Sequence, residues 1–415
     1  MAVIKPFKAI RPTPELVRKV AALPYDVMSS DEARATAEGN PYTFLHVDKA
    51  EIDLDSSVNL YDQRVYEQAR ENLRQMIADG VFVREREACL YIYRQTMAGR
   101  PQTGLVVCAS IDDYLSGAIK KHELTRADKE LDRMKHVDYC DANTGPIFLT
   151  YRAQAEINAR IGAWTQAHSP VYDFISDDGI GHTVWVIDDP ALIASLTADF
   201  AKIDALYIAD GHHRSASAVK IGLKRREQFP DYDGSEEFNF FLSVLFPDEQ
   251  LFVMDYNRVV RDLNGHTLAE YMNQVREKFI VEEVQGKEPF KPSEKHTFGM
   301  YIHAKWYKLT AKAGSFDAHD PVARLDVSII QNQLLGPILG IQDPRKDKRI
   351  DFIGGIRGLT ELERRVTGGM KVAFSMYPTT IDDLMAIADA GEIMPPKSTW
   401  FEPKLRSGIF VHELK

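Results

Sequence analysis

Cysteine is scarce in this chain: three among 415 residues, Cys89, Cys108 and Cys140, far apart and in no CxxC spacing. A disulfide framework and a zinc ribbon are thereby excluded. Long apolar runs are also missing. The longest, Phe238–Phe246, contains Asn239 and stops at Pro247, well short of the roughly 20 residues a membrane helix needs. The stretch Met1–Pro12 has basic residues but no apolar core of the signal-peptide kind, so a cytoplasmic protein with no membrane partner is expected. Positive charge is in deficit, 51 Lys+Arg against 61 Asp+Glu, a net charge of −10 with His neutral. Such a surface repels a nucleic-acid backbone, and nucleic acid is not expected as a partner. The sequence has no GxxxxGK[ST] loop, no GxGxxG turn between strand and helix, no GxSxG elbow and no kinase HRD/DFG set. Any nucleotide must therefore sit in a less familiar cradle.

What is present fits a globular chain of two or three domains, and patterning suggests mixed α and β. Ala2–Ile10 reads as a strand, with a helix beginning near Glu15 after Arg11-Pro12-Thr13-Pro14. Val65, Ala69, Leu73 and Met76 fall at helical spacing within Tyr61–Ile77, with Gly80 as a C-cap. Ala88–Arg94 and Gly104–Ile111 read as strands of a hairpin joined at Ala98-Gly99-Arg100-Pro101. Leu206–Ala209 reads as a strand that turns at Asp210-Gly211 into a helix whose inward face carries Ala216, Val219 and Leu223. Polar Lys224–Glu237 suggests a domain boundary, dividing the chain at 1–232 and 233–415. Beyond it, strands are expected at Phe238–Phe246 and Gln250–Met254, a helix at Leu268–Phe279, a loop at Glu282–Lys295 and a hairpin from Thr297–Ile302 with Trp306–Thr310. Helical segments are expected around Val327–Leu334 and Ile381–Ala390.

Four clusters could carry chemistry. In Asp210-Gly211-His212-His213-Arg214-Ser215 a strand ends and a helix opens, where free backbone N–H groups and the helix dipole favour an anion. Gly211 permits close approach, Arg214 can bind a phosphate bidentately, His213 can donate, and Asp210 can hold a metal or orient a hydroxyl. An ordinary capped helix start explains the same residues. Lys121-His122-Glu123 is followed by Thr125, Asp132 and Arg133. If 126–134 is helical, Lys129, Asp132 and Arg133 share a face, as they would on a solvated salt-bridged helix. Because His122 and Glu123 are adjacent, HExxH zinc geometry is absent. Pro24-Tyr25-Asp26-Val27 can present a carboxylate and an aromatic platform, or be a local turn. Met394-Pro395-Pro396-Lys397-Ser398-Thr399-Trp400-Phe401-Glu402-Pro403-Lys404 offers two lysines to phosphates, or a strap whose Trp400 and Phe401 cover an apolar groove.

Together Pro6-Phe7-Lys8-Ala9-Ile10-Arg11-Pro12, Pro24-Tyr25-Asp26-Val27, Lys121-His122-Glu123, Asp210 to Arg214 and Met394 to Phe401 resemble the bacterial and archaeal domain-of-unknown-function 1015 family. Asp210 to Ala218 is also similar to the Gly-x-His-Arg-x-x-Ala signature of the ParB and sulfiredoxin superfamily, and to the Asp-Gly-x-His-Arg version in its free serine kinases. The chromosome-partitioning branch carries a Gly-Glu-Arg-Arg-like version, from which His212-His213-Arg214 departs. The resemblance implies an α+β fold with a ParB/sulfiredoxin-like nucleotide-binding core over 1–232 and a second α+β domain, 233–415, closing over it. It also implies a general base from near the first strand; Glu15 is the positional candidate, with Asp26 and Glu123 as competitors.

The expectation is a nucleotide-dependent phosphotransferase acting on the hydroxyl of a small metabolite, free serine being the first candidate, with ATP or ADP and Mg²⁺ as cofactors. Catalytic candidates are Asp210, Glu123 and Glu15; Gly211, His212, His213, Arg214, Ser215, Arg11 and Lys121 would bind the nucleotide. Tyr25, Asp26, His122, Arg133 and Lys397 would bind substrate, and Asp210 the metal. A nucleotide sensor without turnover, a partitioning-type NTPase and a metal hydrolase using His212, His213 and Asp210 are the rivals. A homo-oligomer is left open.

Overall fold

Helical spacing in the stretch before Gly80 folds as α1 (Gln63–Ala78), and Val65, Ala69, Leu73 and Met76 are its buried face. The structure is a computed structural model and describes residues 2–286 and 288–415. Met1, in the N-terminal stretch, and Lys287, inside the loop expected over Glu282–Lys295, lie outside the described residues.

The chain forms two compact units, one running to Leu251 and including Pro403–Lys415, the other Phe252–Glu402. The first is organised on a nine-stranded mixed sheet. Its strands are β1 (Ile4–Lys5), β2 (Leu90–Met97), β3 (Arg100–Ser110), β4 (Ile119–Lys120), β5 (Ile147–Tyr151), β6 (Tyr172–Ile175), β7 (Gly181–Ile187), β8 (Leu206–Asp210) and β9 (Phe240–Pro247). The order is β4-β8-β5-β9-β3-β2-β7-β6, with β1 on β3. The expected hairpin is β2–β3, paired from Tyr91↔Val106 to Met97↔Arg100. β3 is buried continuously from Gly104 to Ser110, and its Leu105 and Val107 lie with Leu149, Ile208, Val219 and Phe241 in one apolar core, the main driving force for the unit. The single strand expected over Ala2–Ile10 is instead two short ones, β1 and Ile10–Pro12, because Pro6 between them has no N–H to give a ladder.

The break between units lies beyond the polar Lys224–Glu237 segment. β9, which follows that segment, pairs with β3 on one side and β5 on the other, so its hydrogen bonds tie it to the first unit. Helix α2 (Ala127–Cys140) and helix α3 (His212–Gln228) pack on each other in this unit.

The second unit contains an antiparallel six-stranded sheet of β10 (Tyr256–Val260), β11 (Phe279–Glu283), β12 (Thr297–Ile302), β13 (Lys305–Ala311), β14 (Ile350–Gly354) and β15 (Val372–Ser375), in the order β11-β13-β12-β15-β10-β14. The expected β12–β13 hairpin is present. β11 takes the start of the segment expected as a loop, adding itself to β13. Of the strand expected over Gln250–Met254, Val253–Met254 pairs with Trp400–Phe401. Trp400 packs edge-on against Tyr256 at 5.0 Å, so the proline-stiffened segment straps its own unit. The helix expected near Val327 is short, Asp326–Ile330, followed by a π-turn over Gln331–Leu335. Helices α4 (Leu268–Lys278) and α5 (Ile381–Asp389) begin with capping boxes on Thr267 and Thr380. Among the described residues no helix is long and apolar enough to cross a membrane.

Candidate functional site

β4 and β8 are parallel neighbours, with Ile119 opposite Leu206 and Lys120 opposite Tyr207. The residues after both strands therefore leave the sheet at the same end, which brings Lys121-His122-Glu123 beside Asp210-Gly211-His212. Carboxyl ends of neighbouring parallel strands are where open sheets bind ligands. The register of β8 against β5 shifts between Ile208 and Asp210, a bulge that re-aims Asp210. Gly211 then takes φ +92°, and a Cβ there would meet the Arg214 guanidinium at 3.2–3.3 Å. Both facts favour glycine. α3 follows for 17 residues with no side chain capping it. The first amide to bond back is that of Ser215, to the Gly211 carbonyl at 2.9 Å. Helix geometry leaves the amides of His212, His213 and Arg214 without intrahelical acceptors.

The Asp210 carboxylate accepts from the Gly211 amide at 2.8 Å through Oδ1 and from Lys404 Nζ at 3.0 Å through Oδ2. Burial pushes its carboxyl up, but the charges of Lys404 and Arg214 and the two hydrogen bonds overcome this and hold it below the usual carboxylate range. Arg214 donates from Nη1 to the Pro146 carbonyl, and its Nε is buried with no partner. Behind it lies a cavity of about 30 Å³ lined by Tyr25, Asp48, Arg133, Thr144, Gly145 and Arg214, among others. That is room for a water and not for a phosphate. Thr144 donates to Asp48 at 2.9 Å, and the Arg133 guanidinium lies over the Tyr25 ring, 4.0 Å from its centre, while bonding Asp132.

The three histidines differ. His213 accepts the Arg126 amide on Nε2 at 3.0 Å, which leaves the proton on Nδ1 in the neutral ring. The rings of His122 and His212 meet edge to face with centres 4.5 Å apart. Glu123 Oε2 stands 3.9 Å from His212 Nδ1. Burial drives His122 down to about 4 despite the Asp210 charge, and burial together with the neighbouring His122 drives His212 well below its ordinary value. Both rings are therefore neutral at pH 7.

A family model described as a protein of unknown function (DUF1015) matches residues 4–328. The chain belongs to the DUF1015 family. No curated protein matches this DUF1015 chain. Among solved structures it is similar to a free serine kinase in complex with AMP, at 14% identity over 75% of this chain and 91% of that one, with a TM-score of 0.38. A conserved hypothetical protein from Pyrococcus furiosus is 14% identical over 74% and 95%, TM-score 0.36. SbnI with a C-terminal truncation, from Staphylococcus aureus, is 10% identical over 73% and 85%, TM-score 0.38.

In this DUF1015 chain the turn gathers Asp210, Gly211, His212, His213, Arg214, His122 and Glu123. Asp26, exposed, acts by its charge on His213, and Tyr25 feels the charges of Arg133 and Arg214. The other candidates are placed differently. Arg11 is taken by Glu85 at 2.5 Å and by the Tyr172 hydroxyl at 2.9 Å; Tyr172 opens β6, at the opposite sheet edge from β4. Glu15 is exposed, and its charge acts on that same Tyr172. Ser215 is fully buried, its hydroxyl donating to the His212 carbonyl at 3.0 Å. Lys121 lies over the Tyr114 ring at 4.7 Å. Asp210, expected to hold a metal, instead bonds an ammonium. Lys397 belongs to the second unit, with its ammonium over Tyr256 and its carbonyl accepting from Arg258. The lysine at the turn is Lys404, the last of the same segment, carried there because Pro403–Lys415 rejoins the first unit. Asp48 and Thr144 were not singled out by sequence, since their pairing spans 96 residues and leaves no local signal.

Proposed function

We propose that this protein is a nucleotide-dependent phosphotransferase that moves a phosphoryl group from ATP or ADP to the hydroxyl of a small metabolite, free serine being the first candidate. One observation carries the reading: a long helix starts uncapped behind a left-handed glycine, with a guanidinium whose Nε has no partner packed against that glycine. Free amides, a helix dipole and a planar cation form a cradle for phosphate oxygens. The Asp-Gly-x-His-Arg resemblance to free serine kinases and the wider ParB/sulfiredoxin superfamily is consistent with it.

In the transfer, the acceptor hydroxyl oxygen bonds to the terminal phosphorus as the bond from that phosphorus to the bridging oxygen breaks, releasing ADP from ATP or AMP from ADP. The hydroxyl proton passes to a carboxylate. Asp26, exposed and acting on His213, takes this role in preference to Glu15, whose charge acts on Tyr172 at the other edge. The amides of His212 to Arg214, the Arg214 guanidinium and the His213 Nδ1–H offset charge on the equatorial oxygens, so positioning and electrostatics supply most of the rate. Mg²⁺ on Asp210 does not fit, because the Lys404 ammonium and the Gly211 amide occupy that carboxylate. No step is routed through it.

The test is incubation of the protein with labelled ATP or ADP and a pool of hydroxyl-bearing amino acids. A phosphorylated product is expected, with Asp26→Asn abolishing turnover while leaving nucleotide affinity within about threefold. Nucleotide-dependent thermal stabilisation without product would replace the enzyme by a sensor, and no nucleotide binding at all would overturn the cradle.

A further inference from the structure

Of the buried polar atoms near the turn, two imidazole nitrogens remain unexplained. Among the described residues the Nε2 of His212 and one ring nitrogen of His122 are buried without a hydrogen-bond partner, the other His122 nitrogen facing the Ile208 carbonyl; His122 is 2% and His212 6% exposed. A neutral imidazole carries one N–H and one lone pair, and leaving either unmet in the interior costs about 1–3 kcal/mol. Edge-to-face packing satisfies the ring carbons but no lone pair. Two such rings side by side, at the mouth of a strand pair, call for a partner that accepts electron pairs.

A third donor stands with them. One ligand atom from each of His122, Glu123 and His212 can be chosen so that all lie within 4.8 Å of one another. A cation bound at about 2.0–2.2 Å from two nitrogens and one carboxylate oxygen holds such donors about 3.3–3.6 Å apart, so binding requires the three side chains to close in on the ion. His122 and Glu123 follow β4 and His212 follows β8, so the parallel pairing of these strands holds the three together. Two imidazoles and one carboxylate suit zinc and the other borderline divalent transition metals; Mg²⁺ and Ca²⁺ prefer oxygen.

We infer that His122, Glu123 and His212 form a binding site for a divalent transition metal, with Zn²⁺ as its representative occupant. Three protein ligands leave at least one coordination position open. The site uses side chains the phosphotransfer reading does not require, and it stands or falls without a nucleotide.

The experiment uses the untagged full-length protein, stripped with a chelator and then titrated with Zn²⁺ by calorimetry and with Co²⁺ by visible absorption, no nucleotide being present. One equivalent is expected to bind, with Co²⁺ d–d bands of a four- or five-coordinate centre that Zn²⁺ bleaches and a large excess of Mg²⁺ does not. Glu123→Gln removes a half-exposed carboxylate without opening the core and should weaken Zn²⁺ at least tenfold. His122→Gln and His212→Gln, checked for folding by circular dichroism, should abolish the bands. Absence of the bands in the parent, or Zn²⁺ affinity unchanged in Glu123→Gln, would overturn the site.

Discussion

Replacing Lys404 with methionine removes the ammonium bonded to Asp210 and leaves a carboxylate near the Arg214 charge and the Gly211 amide alone. At 3.0 Å and an effective dielectric of about 20, the gross attraction is about 5 kcal/mol. Methionine avoids the cost of desolvating an ammonium, and the Asp210 side chain is 29% exposed, so the net loss should fall below the 3–5 kcal/mol typical of a broken buried pair, at about 2 kcal/mol. In a unit of this size that lowers Tm by about 4–8 °C at pH 7. The pH dependence has a definite sign. Asp210 is held below the ordinary carboxylate range in the folded protein, so the pair's contribution is fully present above the unfolded value near 4 and is lost as pH falls through the folded value. The gap between parent and Lys404→Met should therefore be smaller at pH 3 than at pH 7, narrowing only below about pH 4. Adding Asp210→Asn, which leaves no charge stranded, should recover most of the loss in a double-mutant cycle. Thermal melts of the four proteins at both pH values decide it. A Lys404→Met protein melting within 1 °C of the parent at pH 7, or a loss insensitive to Asp210→Asn, would refute the reasoning.

Arg214→Lys keeps the charge but loses the planar fork, including the unpartnered Nε. Losing one charged hydrogen bond of about 1.5–3 kcal/mol predicts nucleotide binding about tenfold to a hundredfold weaker by calorimetry, and unchanged affinity would remove Arg214 from the cradle. In the second unit, burial, helped by the Asp383 charge and opposed by the His296 amide, Lys295 and Arg258, raises Asp326 to about 7. A carboxyl raised on folding costs stability as pH rises from about 4 through 7, up to about 4 kcal/mol. Asp326→Asn keeps the acceptor for His296 N, 2.8 Å away, so its urea midpoint should exceed that of the parent at pH 8 and approach it at pH 5. Parallel curves at both pH values would show the carboxyl is not raised.

Elements whose signal lies within one turn or one strand were readable in advance. Val65 to Met76 marked a helix because burial repeats with the helical period, the β2–β3 hairpin was marked by its Gly-containing turn, and the β12–β13 hairpin by its two closely spaced strand segments. The stretch 144–205 was silent: β5 is buried at every position and therefore shows no alternation. The boundary misled for a related reason, since a polar segment is a surface signal and says nothing of where the following strand pairs.

The site divides the same way. The turn at Asp210-Gly211 and the helix after it follow from local residue types, because glycine's positive φ and an open helix start are decided within a few residues. The choice of Lys404 over Lys397, the meeting of His122 with His212, and the dispersal of Arg11 and Glu15 to Glu85 and Tyr172 were decided by the tertiary structure. Each depends on which strands pair and on where the tail returns, with 194 residues separating Lys404 from Asp210. Pairing over such separations is set by the packing of the whole sheet, to which no short window of sequence has access.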